Sequence, residues 1–156
     1  QVYVDGKIFK NPEHSQFTDP LYPKNYREDV FPPTAGNRDN YGPVYVPAKG
    51  DTLIYGQENI YIIKNVAELA GHTLRVKNNK MIIDDQEADY YVVEQDHYFM
   101  MGDNRHNSSD SRYWGFVPFD FVLGNPLITY LSWQRGTRLY ELHKIIRWNR
   151  IGNIPK

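Results

Sequence analysis

The chain opens on alternation: Val2 and Val4, then Ile8 and Phe9, flank Asp5-Gly6. An Asp-Gly pair readily takes the positive φ angles of a two-residue turn, so residues 2–9 read as a β-hairpin. The alternation then stops. Residues 11–43 hold Pro12, Pro20, Pro23, Pro32, Pro33 and Pro43 with few periodic apolar positions, which removes backbone donors and predicts a long proline-rich connection. Val44–Val46 and Thr52–Tyr55 read as two strand pieces around the Pro47–Asp51 turn, the second entering a sheet. From Glu58 to Ala70 the period changes, with Ile60, Ile63, Ala67 and Ala70 on one face, Val66 beside them, and Gly71 placed as a C-terminal cap. That spacing predicts one amphipathic helix near 58–70. Leu74–Val76 and Met81–Ile83 flank a polar 77–80 turn as a second hairpin, and Tyr90–Met101 is strongly β-prone; both are expected in one sheet. Leu123 and Leu127–Trp133 suggest another strand, and the basic tail from Arg147 to Lys156 is expected to be peripheral.

Composition supports that pattern. Aromatic content of 15 %, with 13 Tyr, 10 Pro and 11 Gly in 156 residues, suits short strands broken by turns. The expected class is mainly β, with antiparallel sheets, in a single domain over 1–156. Lys and Arg number 18 against 19 Asp and Glu, a net charge of -1, so no basic surplus argues for nucleic acid. The lack of cysteine excludes thiolate metal sites, disulfides and a cysteine nucleophile. No apolar run reaches the roughly 18 residues of a membrane span, and the start lacks the layout of a signal peptide. Without an initiating Met, and beginning inside a pattern, the chain is expected to have been preceded by further sequence. His14, His72, His97, His106 and His143 lack metal spacing, and Asp84-Asp85 with Glu87 is too short for a calcium loop, so no metal is expected.

The chemistry concentrates in one polar run, Gly102-Asp103-Asn104-Arg105-His106-Asn107-Ser108-Ser109-Asp110-Ser111-Arg112. Asn and Asp side chains there can bond their own backbone, and Asp103, Asp110, Arg105 and Arg112 offer equal and opposite charges for a closed network. A generic loop of this kind is a solvated turn. The order of residues says more: Tyr98–Pro118 closely resembles the last signature box of bacterial type I signal peptidases. Gly124 and Ser132-Trp133 follow in the family's order, and Val2-Tyr3-Val4-Asp5-Gly6-Lys7 resembles the hairpin after its lysine box.

The resemblance implies the carboxy-terminal part of a serine endopeptidase, an incomplete domain of the signal peptidase fold. Such enzymes sit on the outer face of the cytoplasmic membrane and cut signal peptides from exported preproteins with a serine nucleophile and a lysine base. No cofactor is implied. A lysine can act as base only when neutral, which requires burial and a hydroxyl to hold the amine. Carried over by position, Ser108 bonds that amine, supported by Gly102, Asp103, Asn104, Arg105, Asn107, Asp110 and Arg112. Asp103, Asp110 and Arg112 form its salt-bridged brace. His106 stands where most members have Asp, which lowers the charge of the loop.

The family's Ser-Met-x-Pro-Thr segment has no counterpart here, so nucleophile and base are expected outside this chain, lipid contact in the missing amino-terminal part, and no cleavage by the fragment alone. Two rivals remain. A compact peptidase would use Ser15 as nucleophile and Lys64 as base, although Lys64 lies on the predicted helix, one turn from Glu68. A non-enzymatic module would keep the scaffold and bind through exposed edges or aromatics.

Overall fold

In a computed structural model the described residues are 2–11, 15, 17, 19–124, 127–130, 146, 151, 152 and 154. They fall into two units, 1–122 and 123–156. In the second, Gly152 N donates to Thr129 O at 2.7 Å. Residues 127–130 are not strand, while Ser132-Trp133 and most of the basic tail lie outside the described residues.

The first unit is mainly antiparallel β. Strands β1 (Val2–Val4) and β2 (Lys7–Phe9) form the opening hairpin, with Val2 opposite Phe9. Strand β3 (Thr52–Ile54) precedes helix α1 (Ile60–Leu69), and β4 (Leu74–Lys77), β5 (Lys80–Ile83) and β6 (Gln86–Ala88) make a three-stranded meander. Both meander turns carry two successive positive-φ residues, Asn78 and Asn79 (52° and 59°), then Asp84 and Asp85 (48° and 66°). Asn and Asp tolerate this conformation, and its twist matches that of paired strands. Strand β7 (Tyr90–Val92) pairs with β3, and β8 (His97–Tyr98) with β9 (Val117–Pro118).

The sequence expectation of one shared sheet is corrected: among the described residues four small sheets form instead. The Tyr90–Met101 stretch breaks between β7 and β8, where Val93 N bonds Asp51 O and the Asp96 carboxylate accepts from Lys49 N. Val44–Val46 is not strand either. The Asp51 carboxylate takes the Tyr45 hydroxyl at 2.5 Å and the Ala48 amide at 2.8 Å, which turns this stretch around one side chain.

Helix α1 occupies the expected span and ends as its Gly71 predicted: Gly71 N bonds Glu68 O and His72 N bonds Ala67 O, the paired closure of a Schellman motif. Its buried face is Ile62, Ile63, Val66 and Ala67, shifted from the predicted stripe because Ile60, at the first turn, and Ala70, the C-cap, are only partly covered. This face meets Leu53, Leu74, Met81, Tyr91, Val93 and Phe116 in one apolar core. No helix among the described residues is long and apolar enough to cross a membrane.

The core reaches the polar run through Asn65. Its Oδ1 accepts from Phe116 N at 3.0 Å and its Nδ2 donates to Trp114 O at 3.3 Å. Gly115, at φ 97°, lies so close that a Cβ there would sit 2.6 Å from Asn65 Oδ1, so glycine is required by both backbone and space. Phe116 is 2 % exposed, and shortening Asn65 removes the partner of its amide. Asn65→Ala should therefore cost about 1–3 kcal/mol of unfolding free energy, the penalty of a stranded buried donor. Urea unfolding of the purified chain measures it, with a lowered midpoint at unchanged slope as the expected result.

Candidate functional site

The run from Gly102 to Arg112 hangs between β8 and β9 and folds around one buried ion pair. Arg112 donates from Nε to Asp110 Oδ1 and from Nη2 to Asp110 Oδ2, both at 2.8 Å, while the Arg112 amide caps the same carboxylate at 3.2 Å. Gly102 N supplies a fourth bond, 2.9 Å to Oδ2. Burial alone would push the Asp110 pKa up; the Arg112 guanidinium and the Gly102 amide outweigh it and hold the carboxyl below its ordinary value. Asp110 also N-caps the short helix α2 (Ser111–Trp114). Ser111 ties that helix back to the incoming strand, its Oγ taking Met100 N at 2.9 Å and its amide donating to Met100 O.

Ser108 lies in the turn this creates. Its Oγ donates to Asn104 O at 2.7 Å, and Asn107 N bonds the same carbonyl at 3.1 Å. The side chain is seated against the Gly102 backbone: a Cβ at 102 would collide with Ser108 Oγ and stand 2.6 Å from Ser108 Cβ. The Asn104 side-chain oxygen is buried without a hydrogen-bond partner among the described residues.

The structure thus gathers Gly102, Asn104, Asn107, Ser108, Asp110 and Arg112 around one turn. The expected four-charge closed network is not what forms. Asp103 is exposed and makes no ion pair among the described residues. Arg105 is buried and turns to neutral partners, Asn11 Oδ1 at 3.2 Å and Met101 Sδ at 3.2 Å. Its pKa is pushed down by burial and by the neighbouring Arg112 cation. One carboxylate already holding four donors has no lone pair to spare for it. The Arg105 carbonyl contributes instead, accepting from Arg112 Nη2 at 2.6 Å.

The sequence reading missed the second half of the brace, which lies in the proline-rich connection. Phe31 N donates to Arg112 O at 2.7 Å, Arg112 Nη1 to Arg38 O at 3.4 Å, and Tyr113 OH to Glu28 Oε1 at 3.3 Å. Asn37, wholly buried, organises this segment: Oδ1 takes the amides of Asp39 and Asn40, and Nδ2 reaches the Pro23 and Tyr26 carbonyls. The available signal was Asn37-Arg38-Asp39-Asn40, a side-chain-to-backbone turn that needs no ladder. His106 also faces this segment, bonded to Asp39 and to the Asp19 amide.

Of the alternative pair, Ser15 Oγ is buried without a hydrogen-bond partner among the described residues. Lys64 is half exposed on α1 and pairs with Glu68 at 3.8 Å. A separate charged group closes the other end of α1. His72 sits between two carboxylates, Nδ1 to Asp84 Oδ2 and Nε2 to Glu94 Oε1, each 2.6 Å. Bonds from the Asp84 and Glu94 carboxylates raise its pKa above the ordinary imidazole value. Among the described residues no group of three His, Asp or Glu has the arrangement of a metal centre.

The loop built on Gly102, Ser108, Asp110 and Arg112 lies within a peptidase family match: residues 1–131 match the family model for signal peptidase, peptidase S26, and the chain belongs to that family. It is 34 % identical over 116 residues to the signal peptidase I of Buchnera aphidicola subsp. Acyrthosiphon pisum, covering 68 % of this chain and 35 % of that protein. It is 27 % identical over 141 residues to the signal peptidase I of Helicobacter pylori strain 26695, covering 82 % and 48 %. The chain therefore spans between about a third and a half of these relatives. No solved structure matches it significantly.

Replacing Arg112 by Met strands the Asp110 carboxylate in a site where Arg112 is 1 % exposed. Loss of about 3–5 kcal/mol is expected, as for other broken buried pairs, read by urea unfolding. His72 acts in the opposite direction on the pH axis from a carboxylate. Because its folded pKa is raised, its contribution is complete below about pH 6.5, the unfolded value, and is lost as pH rises through the folded one. Melting temperatures from pH 5 to 9 should fall more steeply with pH in the native chain than in His72→Gln, and parallel curves would refute the assignment.

Proposed function

We propose that this chain forms one wall of the active site of a membrane-bound signal peptidase, a serine endopeptidase that removes signal peptides from exported preproteins through a Ser/Lys dyad. Nucleophile and base lysine come from segments of the enzyme other than these 156 residues, so the chain alone does not cleave. Family membership and the partial span of the relatives support this reading. Its partners are then the preprotein signal segments and, through the rest of the enzyme, the outer face of the cytoplasmic membrane.

The observation that carries the proposal is the state of the Ser108 hydroxyl. Its proton is committed to Asn104 O, which leaves Oγ free to accept. A lysine amine approaching it would donate one N–H to Oγ and be held in line, keeping the nitrogen lone pair free for the nucleophile's proton. Gly102 makes that approach possible by giving up its side-chain volume to Ser108. Arg112 and Asp110 fix the turn, so little reorganisation is needed when the base takes its proton.

Ser108→Ala in the intact peptidase removes the acceptor without adding bulk. The expected result is a fall in kcat on the order of 100-fold, the scale of a misplaced catalytic group, with KM for a preprotein substrate nearly unchanged. Turnover at the native rate would sink the proposal.

A further inference from the structure

We propose that His106 is a positioning residue for Ser108, locking the loop onto segment 19–41 through Asp39 and the Asp19 amide. The inference rests on the reading of Ser108 given above. The His106 side chain is fully buried and Asp39 is 5 % exposed. Asp19 N donates to Nδ1 at 2.8 Å, so Nδ1 carries no proton. The neutral ring must then hold its hydrogen on Nε2, which faces Asp39 Oδ1 at 3.0 Å and donates to it. The other Asp39 oxygen takes Tyr22 N at 2.8 Å. Each end of the imidazole is thereby used once and each oxygen of the carboxylate is held, Oδ2 also facing Arg38 Nε at 3.9 Å, an arrangement that fixes the ring's orientation.

The surroundings reinforce it. Phe17 meets the ring edge-on at 5.6 Å between centroids. Arg38, stacked over Tyr22 at 4.2 Å, donates to the His106 carbonyl at 3.4 Å and to Asp19 Oδ2 at 3.3 Å. His106 therefore fastens the loop from both side chain and backbone. It occupies the turn between Asn104, whose carbonyl receives the Ser108 proton, and Ser108 itself. A rotation at 106 moves acceptor and hydroxyl relative to each other, which links the clamp to the orientation of Oγ.

The lock also restricts which side chain fits at 106. A carboxylate at 106 would accept from the Asp19 amide but replace the Nε2 donor to Asp39 by a second negative charge, leaving Arg38, 3.9 Å from Asp39, as the nearby cation for both in a site with little water. The histidine at 106 and the aspartate at 39 are a matched pair. In this background an aspartate at 106 is predicted to be harmful.

The test uses the intact peptidase with four variants: Ser108→Ala, His106→Asp, His106→Gln and His106→Asp with Asp39→Asn. Glutamine can place an amide donor where Nε2 stands. His106→Asp should lower kcat at least tenfold with KM within twofold of native. His106→Gln should retain more activity than His106→Asp, and adding Asp39→Asn to His106→Asp should recover most of the lost kcat by removing the repulsion. Native kcat in His106→Asp alongside a depressed Ser108→Ala overturns the positioning role and leaves the reading of Ser108 intact. Failure of both Asp39→Asn and glutamine to raise kcat above His106→Asp also overturns it. Native turnover in Ser108→Ala defeats instead the reading on which the inference stands.

Discussion

The structure of this segment depends on how fully one buried carboxylate is used. Asp110 receives four hydrogen bonds, three from Arg112 and one from Gly102. Removing two charges from water costs several kcal/mol for each ion, and only saturated geometry offsets it. This leaves the loop few alternatives: Gly102 must approach with its amide, Arg112 must fold back over Asp110, and the residues between them must close a turn. Ser108 is placed as a by-product of that closure. The hydroxyl is set by charge pairing on one side and by the absent side chain of Gly102 on the other.

The apolar core and the polar loop are two differently built bodies joined at few points. Around α1 the contacts are hydrocarbon, with Ile63, Val66, Ala67 and Met81 wholly buried. Beyond Phe116 they become directional. Asn65 stands at the change, holding the end of the loop by two backbone bonds from a helix that the core makes rigid. The precision of a loop with only two-residue strands at its stem, β8 and β9, therefore comes from side chains, since a ladder that short holds little register.

The elements legible in the sequence were those with a local signature. Asp5-Gly6, Asn78-Asn79 and Gly71 mark turns and a cap by their own conformational preferences, and all three are found where expected. The loop was legible through its order of residues, and Asp110 and Arg112 through their charge. Sheet partnership was not legible: β3 pairs with β7, some 35 residues on, a choice made by the core and not by either strand. Nor was the role of residues 19–41. Their prolines indicated what could not form, while Arg38 and Asp39 work through contacts about 70 residues away, to His106 and Arg112, which no local pattern announces.

The contrast between buried and exposed ion pairs has a consequence for solution conditions. Lys80–Glu87 and Arg75–Asp85, on the meander, have side chains at least 60 % exposed, and dissolved ions compete with such pairs at distances near the Debye length. The Arg112–Asp110 pair is shut away from that competition. Raising ionic strength will thus loosen the rim of the meander while the Gly102–Arg112 loop keeps its shape, and the setting of the Ser108 hydroxyl inherits an indifference to salt that the exposed pairs lack.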